Sequence, residues 1–169
     1  MFHLSLKKLA HTLLFLLVCV AASLSLTAQA DTPMSAKVKE SMRVMKAWAR
    51  ILGEPRLEGQ ELFFGTTHIN VEFYIVDGLK QKFGGTATFF AKKGDGFIRI
   101  STNVMKDDGK RAVGTMLDPA GPVIAGMRQG KPYYGIVDIL GKPYDTGYEP
   151  IVTKAGEIIG IYYVGYPVE

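Results

Sequence analysis

Cysteine and histidine are scarce in this chain of 169 residues, which contains one cysteine and three histidines. Cys19, His3 and His11 all lie within the first 30 residues, so the remainder of the chain keeps only His68. A disulfide framework and a zinc site built on cysteine are therefore excluded for residues 31–169, and a histidine-based zinc site is nearly excluded. We expect neither a metal nor a cofactor.

Motifs that carry catalysis or nucleic-acid binding are also missing. The sequence has no GxSxG elbow, HExxH pair or P-loop, and His68 has only Thr66 and Thr67 beside it rather than the rest of a catalytic triad. The lysines are scattered among acids and glycines instead of forming the basic stripe of a nucleic-acid binder. We therefore expect a protein that is not an enzyme and does not bind nucleic acid.

The N-terminal segment has the pattern of a signal peptide. Lys7 and Lys8 precede an apolar run over residues 9–26, and the small residues Ala28 and Ala30 follow it. The pattern predicts cleavage after Ala30 and a periplasmic location. A retained membrane anchor is the alternative, although the apolar core is shorter than the roughly 20 residues of a spanning helix. We expect no transmembrane signalling module of its own, because no second long apolar run follows.

The segment after this signal is nearly neutral and large enough for one domain. Two of the 20 lysine and arginine residues lie in the first 30 positions, which leaves 18 against 16 acidic residues and a net charge of +2. Residues 31–169 are about one hydrophobic core in size. We therefore predict a single domain over this range.

Apolar spacing predicts a long first helix over residues 33–52. Thr32 followed by Pro33 is typical of a helix start, apolar residues then recur every three or four positions, and Gly53 ends the pattern. Val44 and Ile51 widen the apolar stripe. The stripe either packs on a sheet or also forms a homodimer surface.

Short β-branched and aromatic runs follow, separated by glycine. They predict strands at Ile69–Val76, Thr86–Ala91, Phe97–Asn103, Tyr133–Leu140, Tyr148–Thr153 and Ile158–Tyr166, with further helices at Asp77–Phe83 and Asp118–Gln129. Turn signals at residues 92–96 and 154–157 join consecutive strands as hairpins, which favours an antiparallel sheet. The fold class is therefore α+β.

Several linked motifs resemble one known family. In order and spacing, the segments Phe97–Val104, Asp108–Thr115, Gly130–Gly135, Leu140–Tyr144, Tyr148–Ile151 and Gly156–Gly160 are similar to the single-Cache domains of methyl-accepting chemotaxis receptors. The resemblance covers roughly residues 60–166. It implies a PAS-like fold, with a long N-terminal helix packed on a central antiparallel sheet of five to six strands. It also implies a pocket for small molecules, commonly short-chain carboxylates. Such receptors continue into a second transmembrane helix and a cytoplasmic coiled coil, and we expect neither in this protein.

Arg99 is the first candidate for ligand binding. Alternation along the strand puts Phe97, Arg99 and Ser101 on one face, and both faces are partly apolar, so we expect a central strand. A guanidinium keeps its charge and suits a carboxylate held by two hydrogen bonds. Its anion is either a ligand or an acid of the protein such as Asp138 or Glu149.

A second group of candidates comes from tyrosines and from the loop predicted near residue 142. Tyrosine offers an apolar body with a hydroxyl group, which suits a small polar ligand, although ordinary sheet packing explains most strand tyrosines. Tyr133 and Tyr134 point to opposite faces, so at most one of them lines the pocket. The predicted ligand-binding set is Arg99, Ser101, Tyr133, Lys142, Tyr144 and Thr146, with Tyr148 weighed alongside the other tyrosines.

Two kinds of function remain open. The first is a periplasmic small-ligand binder that recognises a short carboxylate and acts in sensing with a membrane sensor or transporter. The second is a structural or interaction module with a closed pocket that dimerises through its N-terminal helix. A pocket containing Arg99 favours the first, and an internally paired Arg99 favours the second.

Overall fold

The computed structural model describes residues 33–168. The predicted signal peptide, its cleavage site and the Thr32 cap lie outside this range, and the domain boundary after Ala30 stays a prediction. The helices of the described range are α1 (Pro33–Leu52), α2 (Tyr74–Phe83) and α3 (Pro122–Arg128). Its strands are β1 (Pro55–Glu58), β2 (Glu61–Phe64), β3 (Thr67–His68), β4 (Thr86–Lys93), β5 (Gly96–Thr102), β6 (Tyr133–Ile139), β7 (Lys142–Val152) and β8 (Ile158–Pro167).

Five strands form the central sheet in the order β5-β4-β8-β7-β6, and every pair is antiparallel. The long first helix and this sheet confirm the α+β architecture that the sequence implies. β5 is an edge strand rather than the central strand expected from its two apolar faces. Its outer edge is covered by a loop segment, because the backbone N–H of Arg99 donates to Thr115 O at 2.9 Å and Gly114 N–H donates to Arg99 O at 2.9 Å.

The two faces of the central sheet bury separate apolar clusters. On one face, α1 inserts Val38, Met42, Met45 and Ala49 against side chains of β4, β7 and β8, which accounts for its apolar spacing. On the other face, α3 covers a cluster that includes Phe90, Phe97, Tyr148, Ile161 and Tyr163. The second face holds the candidate site.

The strand predicted at Ile69–Val76 is wrong. Ile69–Val71 forms one turn of 3-10 helix and α2 begins at Tyr74, earlier than the helix predicted from Asp77. Ile75, Val76 and Leu79 are all buried, and their spacing is that of a helix face. The β-branched side chains of Ile75 and Val76 produced the strand signal. The small sheet of β1, β2 and β3 was not predicted at all.

Two further boundaries differ from the predicted ones. α3 begins at Pro122 with Gly121 as its N-cap, whereas Asp118 caps a preceding turn by accepting the Ala120 N–H at 2.9 Å. Both Pro119 and Pro122 suit a helix start, and the sequence alone pointed to the wrong one. β7 begins at Lys142, so the loop predicted over residues 141–147 is, apart from Gly141, part of a strand paired with β6.

Candidate functional site

A cavity of about 450 Å³ opens between α3, β6 and the loop that follows β5. We call residues 103–121, which connect β5 to α3, the cavity loop. Most of the wall is apolar, with Leu117, Val123, Val137 and Ile139 among its residues. Only a few polar side chains reach this wall, and this mixture is typical of small-molecule sites. The cavity is therefore the candidate site.

Arg99 lies at the buried end of this cavity and is only 6 % exposed. Its Nη1 donates to Thr115 Oγ1 at 2.7 Å, and its guanidinium carbon lies 5.0 Å from the centre of the Phe90 ring. Its Nε is buried without a hydrogen-bond partner, and Arg99 forms no ion pair with any residue that the structure describes. Burial lowers the pKa of Arg99, because desolvation penalises the charged guanidinium.

The two acids considered as internal partners of Arg99 are engaged elsewhere. Glu149 lies on the opposite face of the sheet, where it accepts a hydrogen bond from Tyr134 at 2.6 Å and pairs with Lys46 of α1. Asp138 is exposed and accepts the Gly141 N–H at 2.8 Å. No carboxylate among residues 33–168 therefore lies within ion-pair distance of Arg99.

Tyr148 provides a second unsatisfied polar group in the same cavity. Its side chain is fully buried, and its hydroxyl has no hydrogen-bond partner in the described part of the chain. Its ring packs 4.9 Å from the ring of Tyr163, whose hydroxyl is already bonded to Thr86 Oγ1 at 3.0 Å. Burial raises the pKa of Tyr148, so its phenol is protonated and can donate to an anion.

A β-bulge separates Ser101 from Arg99. In the β4–β5 ladder Phe90 is opposite Arg99 and Phe89 is opposite Ser101, which leaves Ile100 as the extra residue. The extra residue reverses the alternation, so Ser101 lies on the α1 face and donates its hydroxyl to Glu72 O at 2.5 Å. The prediction that Ser101 and Arg99 share a face is therefore wrong.

The remaining predicted residues do not line the cavity. Tyr133 lies on the same face as Tyr148, with ring centres 6.3 Å apart, and Tyr134 points to the other face as predicted. Thr146 is buried, and its hydroxyl donates to Gly135 O at 2.7 Å. Lys142 and Tyr144 border a separate cleft of about 260 Å³. Of the predicted set, Arg99 alone lines the larger cavity.

Sequence reasoning missed three parts of the site, namely Thr115, Phe90 and the role of Tyr148. Nothing in the sequence around Tyr148 distinguishes it from the other tyrosines. The strand period could have placed Tyr148 on one face with Tyr144. Phe90 meets Arg99 through the pairing of β4 with β5, and Thr115 meets it through the loop that bonds to the edge of β5. Sequence spacing carries no signal for such contacts.

The rest of the described chain offers little support for other chemistries. His68 stacks on Phe63 with ring centres 4.8 Å apart and pairs with Glu61 in the small sheet. Within residues 33–168 no group of three or more histidine, cysteine, aspartate or glutamate residues is placed to hold a metal ion. No helix of that range is long and apolar enough to cross a membrane.

Comparison with known proteins identifies the family. The model of the Cache 3/Cache 2 fusion domain matches residues 21–169. No curated protein gives a match to the chain. Among solved structures, the sensor domain of DcuS from E. coli is similar, with 15 % identity, a TM-score of 0.46 and coverage of 78 % of this chain and 92 % of that domain.

A second similar structure is the ligand-binding domain of the Campylobacter jejuni chemoreceptor Tlp3 in complex with L-valine. Its identity is 16 % and its TM-score 0.47, with coverage of 79 % of this chain and 52 % of that one. Cache domains are extracytoplasmic modules for sensing and ligand binding rather than enzymes. Because the family model matches most of its length, the chain belongs to the Cache 3/Cache 2 fusion domain family.

Proposed function

We propose that this protein is a periplasmic sensor-type binding protein that holds a short-chain carboxylate in the cavity against Arg99. The proposal rests on two hydrogen-bond donors that have no partner, the Nε of Arg99 and the hydroxyl of Tyr148. Both residues line the same cavity. Buried polar groups in proteins are almost always hydrogen-bonded, so two unpartnered groups on residues that line the same cavity point to a missing acceptor.

The energetics of Arg99 favour an anionic ligand. Burying a charge without a partner costs several kcal/mol, and the contact with the Phe90 ring offsets only part of that cost. A carboxylate bound to the guanidinium would restore the electrostatic balance and supply an acceptor for Nε. The lowered pKa of Arg99 has the same origin, since no nearby carboxylate stabilises the charged form.

The sensing role follows from the family and from the predicted export signal. Cache domains sense ligands outside the cytoplasm, and the N-terminal pattern at residues 1–30 predicts export with cleavage after Ala30. We infer that the loaded protein passes its signal to a membrane sensor or hands its ligand to a transporter. A co-purification from membranes with and without carboxylate would identify that partner.

The direct test is a calorimetric and thermal-shift screen of the exported protein against short carboxylates, with Arg99→Met as the variant. Ligand at about a hundredfold over its Kd adds roughly 2.7 kcal/mol of stability, which a melting curve resolves. We expect Arg99→Met to fold with unchanged or higher stability in the absence of ligand, because it removes an uncompensated buried charge, and to lose carboxylate binding.

Arg128→Met is the matched control. Arg128 is exposed and donates to Asp95 O at 2.9 Å outside the cavity, so its replacement should leave binding unchanged. A screen in which no carboxylate binds, together with an Arg99→Met protein that is strongly destabilised, would refute the proposal. That result would instead support a structural role for Arg99.

One observation supports the second candidate, an interaction module that dimerises through α1. Ile51 is 81 % exposed on this helix, and Ala47 on the same helix is exposed as well. An exposed isoleucine next to an exposed alanine suits a helix-to-helix contact. Ile51→Lys in sedimentation experiments tests it, because loss of a dimer without loss of carboxylate binding would show that both functions operate.

A further inference from the structure

We propose that the carboxylate held by Arg99 is the C-terminus of a short peptide, which lies in the cavity as an added strand along the open edge of β6. The inference rests on the proposed function, because it assumes that Arg99 binds a carboxylate. It deepens that function by naming the ligand class, since the amide groups of the ligand are recognised as well as its charge.

β6 is an edge strand whose outer side carries no partner. It ends the central sheet beside β7, and no other strand among residues 33–168 pairs with it. The opposite edge differs, because loop residues 114 and 115 bond to the main chain of Arg99 in β5. The seven residues of β6 include no lysine or proline, and their pairing with β7 has no bulge. β6 therefore lacks the features that usually prevent an edge from pairing with another extended chain.

The hydrogen bonds of β7 show which main-chain groups of β6 face outward. The carbonyl oxygen of Pro143 accepts the N–H of Val168 at 3.0 Å, on the side of β7 away from β6. The partner of Pro143 in β6 is Asp138, and in such an antiparallel pair both residues direct their N–H and C=O groups away from each other. The pattern repeats at every second residue, so Ile136, which is opposite Asp145, also directs its N–H and C=O outward.

These outward groups belong to residues that line the cavity. Ile136 and Asp138 line it together with Val137 and Ile139. The side chains of Val137 and Ile139 pack in the apolar cluster on the cavity face, so alternation directs the side chains of Ile136 and Asp138 to the opposite face. Ile136 and Asp138 therefore border the cavity with the main-chain edge of β6.

The same cavity supplies the other groups that a peptide acid requires. The Nε of Arg99 and the hydroxyl of Tyr148 are unpartnered donors for a terminal carboxylate. Leu117 and Val123 provide an apolar wall for small side chains. The volume of about 450 Å³ lies within the range of roughly 300–1,000 Å³ typical of drug-sized ligands, which a short carboxylate alone does not fill. Main-chain pairing at a sheet edge beside side-chain pockets is a recurring mode of peptide recognition.

Titration calorimetry of the exported protein with matched probes tests the inference. We expect N-acetyl-dialanine to bind at least about tenfold more tightly than valerate, because main-chain hydrogen bonds add to the contact with Arg99. An ester analogue, in which lactate replaces the second alanine, loses one amide N–H and should bind about fivefold to tenfold more weakly than the peptide. The C-terminal amide of the same peptide lacks the carboxylate and should not bind measurably.

Ile136→Pro tests the edge from the side of the protein. Proline removes one outward N–H, and it is tolerated in edge strands where the N–H does not bond to the neighbouring strand. Ile136→Ala is the matched control, because it loses the same side chain but keeps the N–H. We expect binding of N-acetyl-dialanine to weaken about tenfold in Ile136→Pro alone and binding of valerate to be unchanged in both variants. Unchanged valerate binding also shows that the proline variant folds, and the ester analogue tests the same contact in the wild type.

Equal binding of N-acetyl-dialanine and valerate by the wild type would overturn the inference, as would equal binding of the peptide and its ester analogue. Peptide binding that survives in Ile136→Pro would overturn it too. A wild-type dimer that Ile136→Pro dissociates in sedimentation experiments would also do so, because the edge would then pair two copies of this chain. In these cases the proposed function still stands if valerate binds and Arg99→Met abolishes that binding, whereas failure of every carboxylate probe to bind would refute both.

Discussion

The guanidinium of Arg111 forms a two-pronged ion pair with the carboxylate of Asp77, with its Nη1 2.7 Å from Oδ1 and its Nη2 2.8 Å from Oδ2. Nη1 also donates to Thr102 O at 2.8 Å, and the guanidinium lies 4.4 Å from the centre of the Phe73 ring. These contacts attach the cavity loop to α2. The turn signal at residues 107–110 predicts a solvent-facing Arg111 paired with Asp107 and Asp108, and the pair with Asp77 shows that this prediction is wrong.

Weakening this attachment should loosen the cavity loop. Arg111→Lys keeps the charge but loses the second hydrogen bond to Asp77 and the planar stacking on Phe73. Because the pair is half-exposed, we expect the free energy of opening the loop to fall by about 1 kcal/mol. Hydrogen exchange should then be about fivefold faster at Ala112, whose N–H donates to Val104 O within the loop. Lys106→Ala, which removes only an exposed pair with Asp108, is the control, and equal exchange in both variants would contradict the attachment.

Tyr148→Phe should separate stability from binding. The variant removes a hydroxyl that is buried without a partner, so we expect unfolding in urea to show unchanged or slightly higher stability. Carboxylate binding should weaken by about tenfold, because a donor to the ligand is lost.

Tyr163→Phe provides the comparison for this experiment. Its hydroxyl bonds Thr86 Oγ1 at 3.0 Å, so the variant should lose about 1 kcal/mol of stability. Equal losses of stability in Tyr148→Phe and Tyr163→Phe would show that the Tyr148 hydroxyl has a structural partner after all.

The buried tyrosines should make the protein sensitive to alkali. Burial raises the pKa of four tyrosines most strongly, and each keeps its proton in the folded state after the unfolded chain has released it. The stabilising effect is therefore fully present below about pH 10, the unfolded value, and is lost as the pH rises above it. These residues are Tyr134, Tyr148, Tyr162 and Tyr163.

Urea unfolding between pH 8 and pH 11.5 measures this effect. Each of the three buried tyrosines, Tyr148, Tyr162 and Tyr163, contributes a slope of about 1.4 kcal/mol per pH unit above its unfolded pKa, and the half-buried Tyr134 contributes less. In Tyr148→Phe the slope should be shallower by one such contribution. A stability that does not change between pH 9.5 and 11.5 would be incompatible with buried, protonated phenols.

The turn between β6 and β7 stores strain at the mouth of the cavity. Leu140 has a φ of 54° and Gly141 a φ of 86°, which is the conformation of a two-residue hairpin turn that favours asparagine followed by glycine. A leucine in this left-handed region costs roughly 1–2 kcal/mol. We expect Leu140→Asn to raise the free energy of unfolding by about 1 kcal/mol.

Leu140→Ala tells strain apart from the loss of an apolar side chain. Alanine removes most of the same side chain but keeps the unfavourable backbone conformation, so it should not stabilise the protein. Chemical denaturation of both variants makes the comparison. If alanine stabilises as much as asparagine, the gain comes from removing a half-exposed leucine rather than from relief of strain.

Several features of the fold could be predicted because their causes are local. The spacing of Val38, Met42, Met45 and Ala49 is enough to form α1 and bury one of its faces. The turn signal at residues 92–96 marks the hairpin between β4 and β5, which the structure confirms with Gly94 and Asp95 as the two turn residues. The residues around 69–76 were misread because β-branched side chains on a helix face look like a strand when only composition is considered.

The sequence by itself determined that residue 99 would be a permanent charge within an apolar strand and would need an anion. The tertiary structure decided which residues meet it, because the bulge at Ile100 turns Ser101 away and strand pairing places Phe90 opposite Arg99. It also hydrogen-bonds Glu149 to Tyr134 on the other face and leaves the hydroxyl of Tyr148 without a partner. These outcomes depend on strand register and on contacts between residues distant in sequence, and spacing along the chain does not encode them.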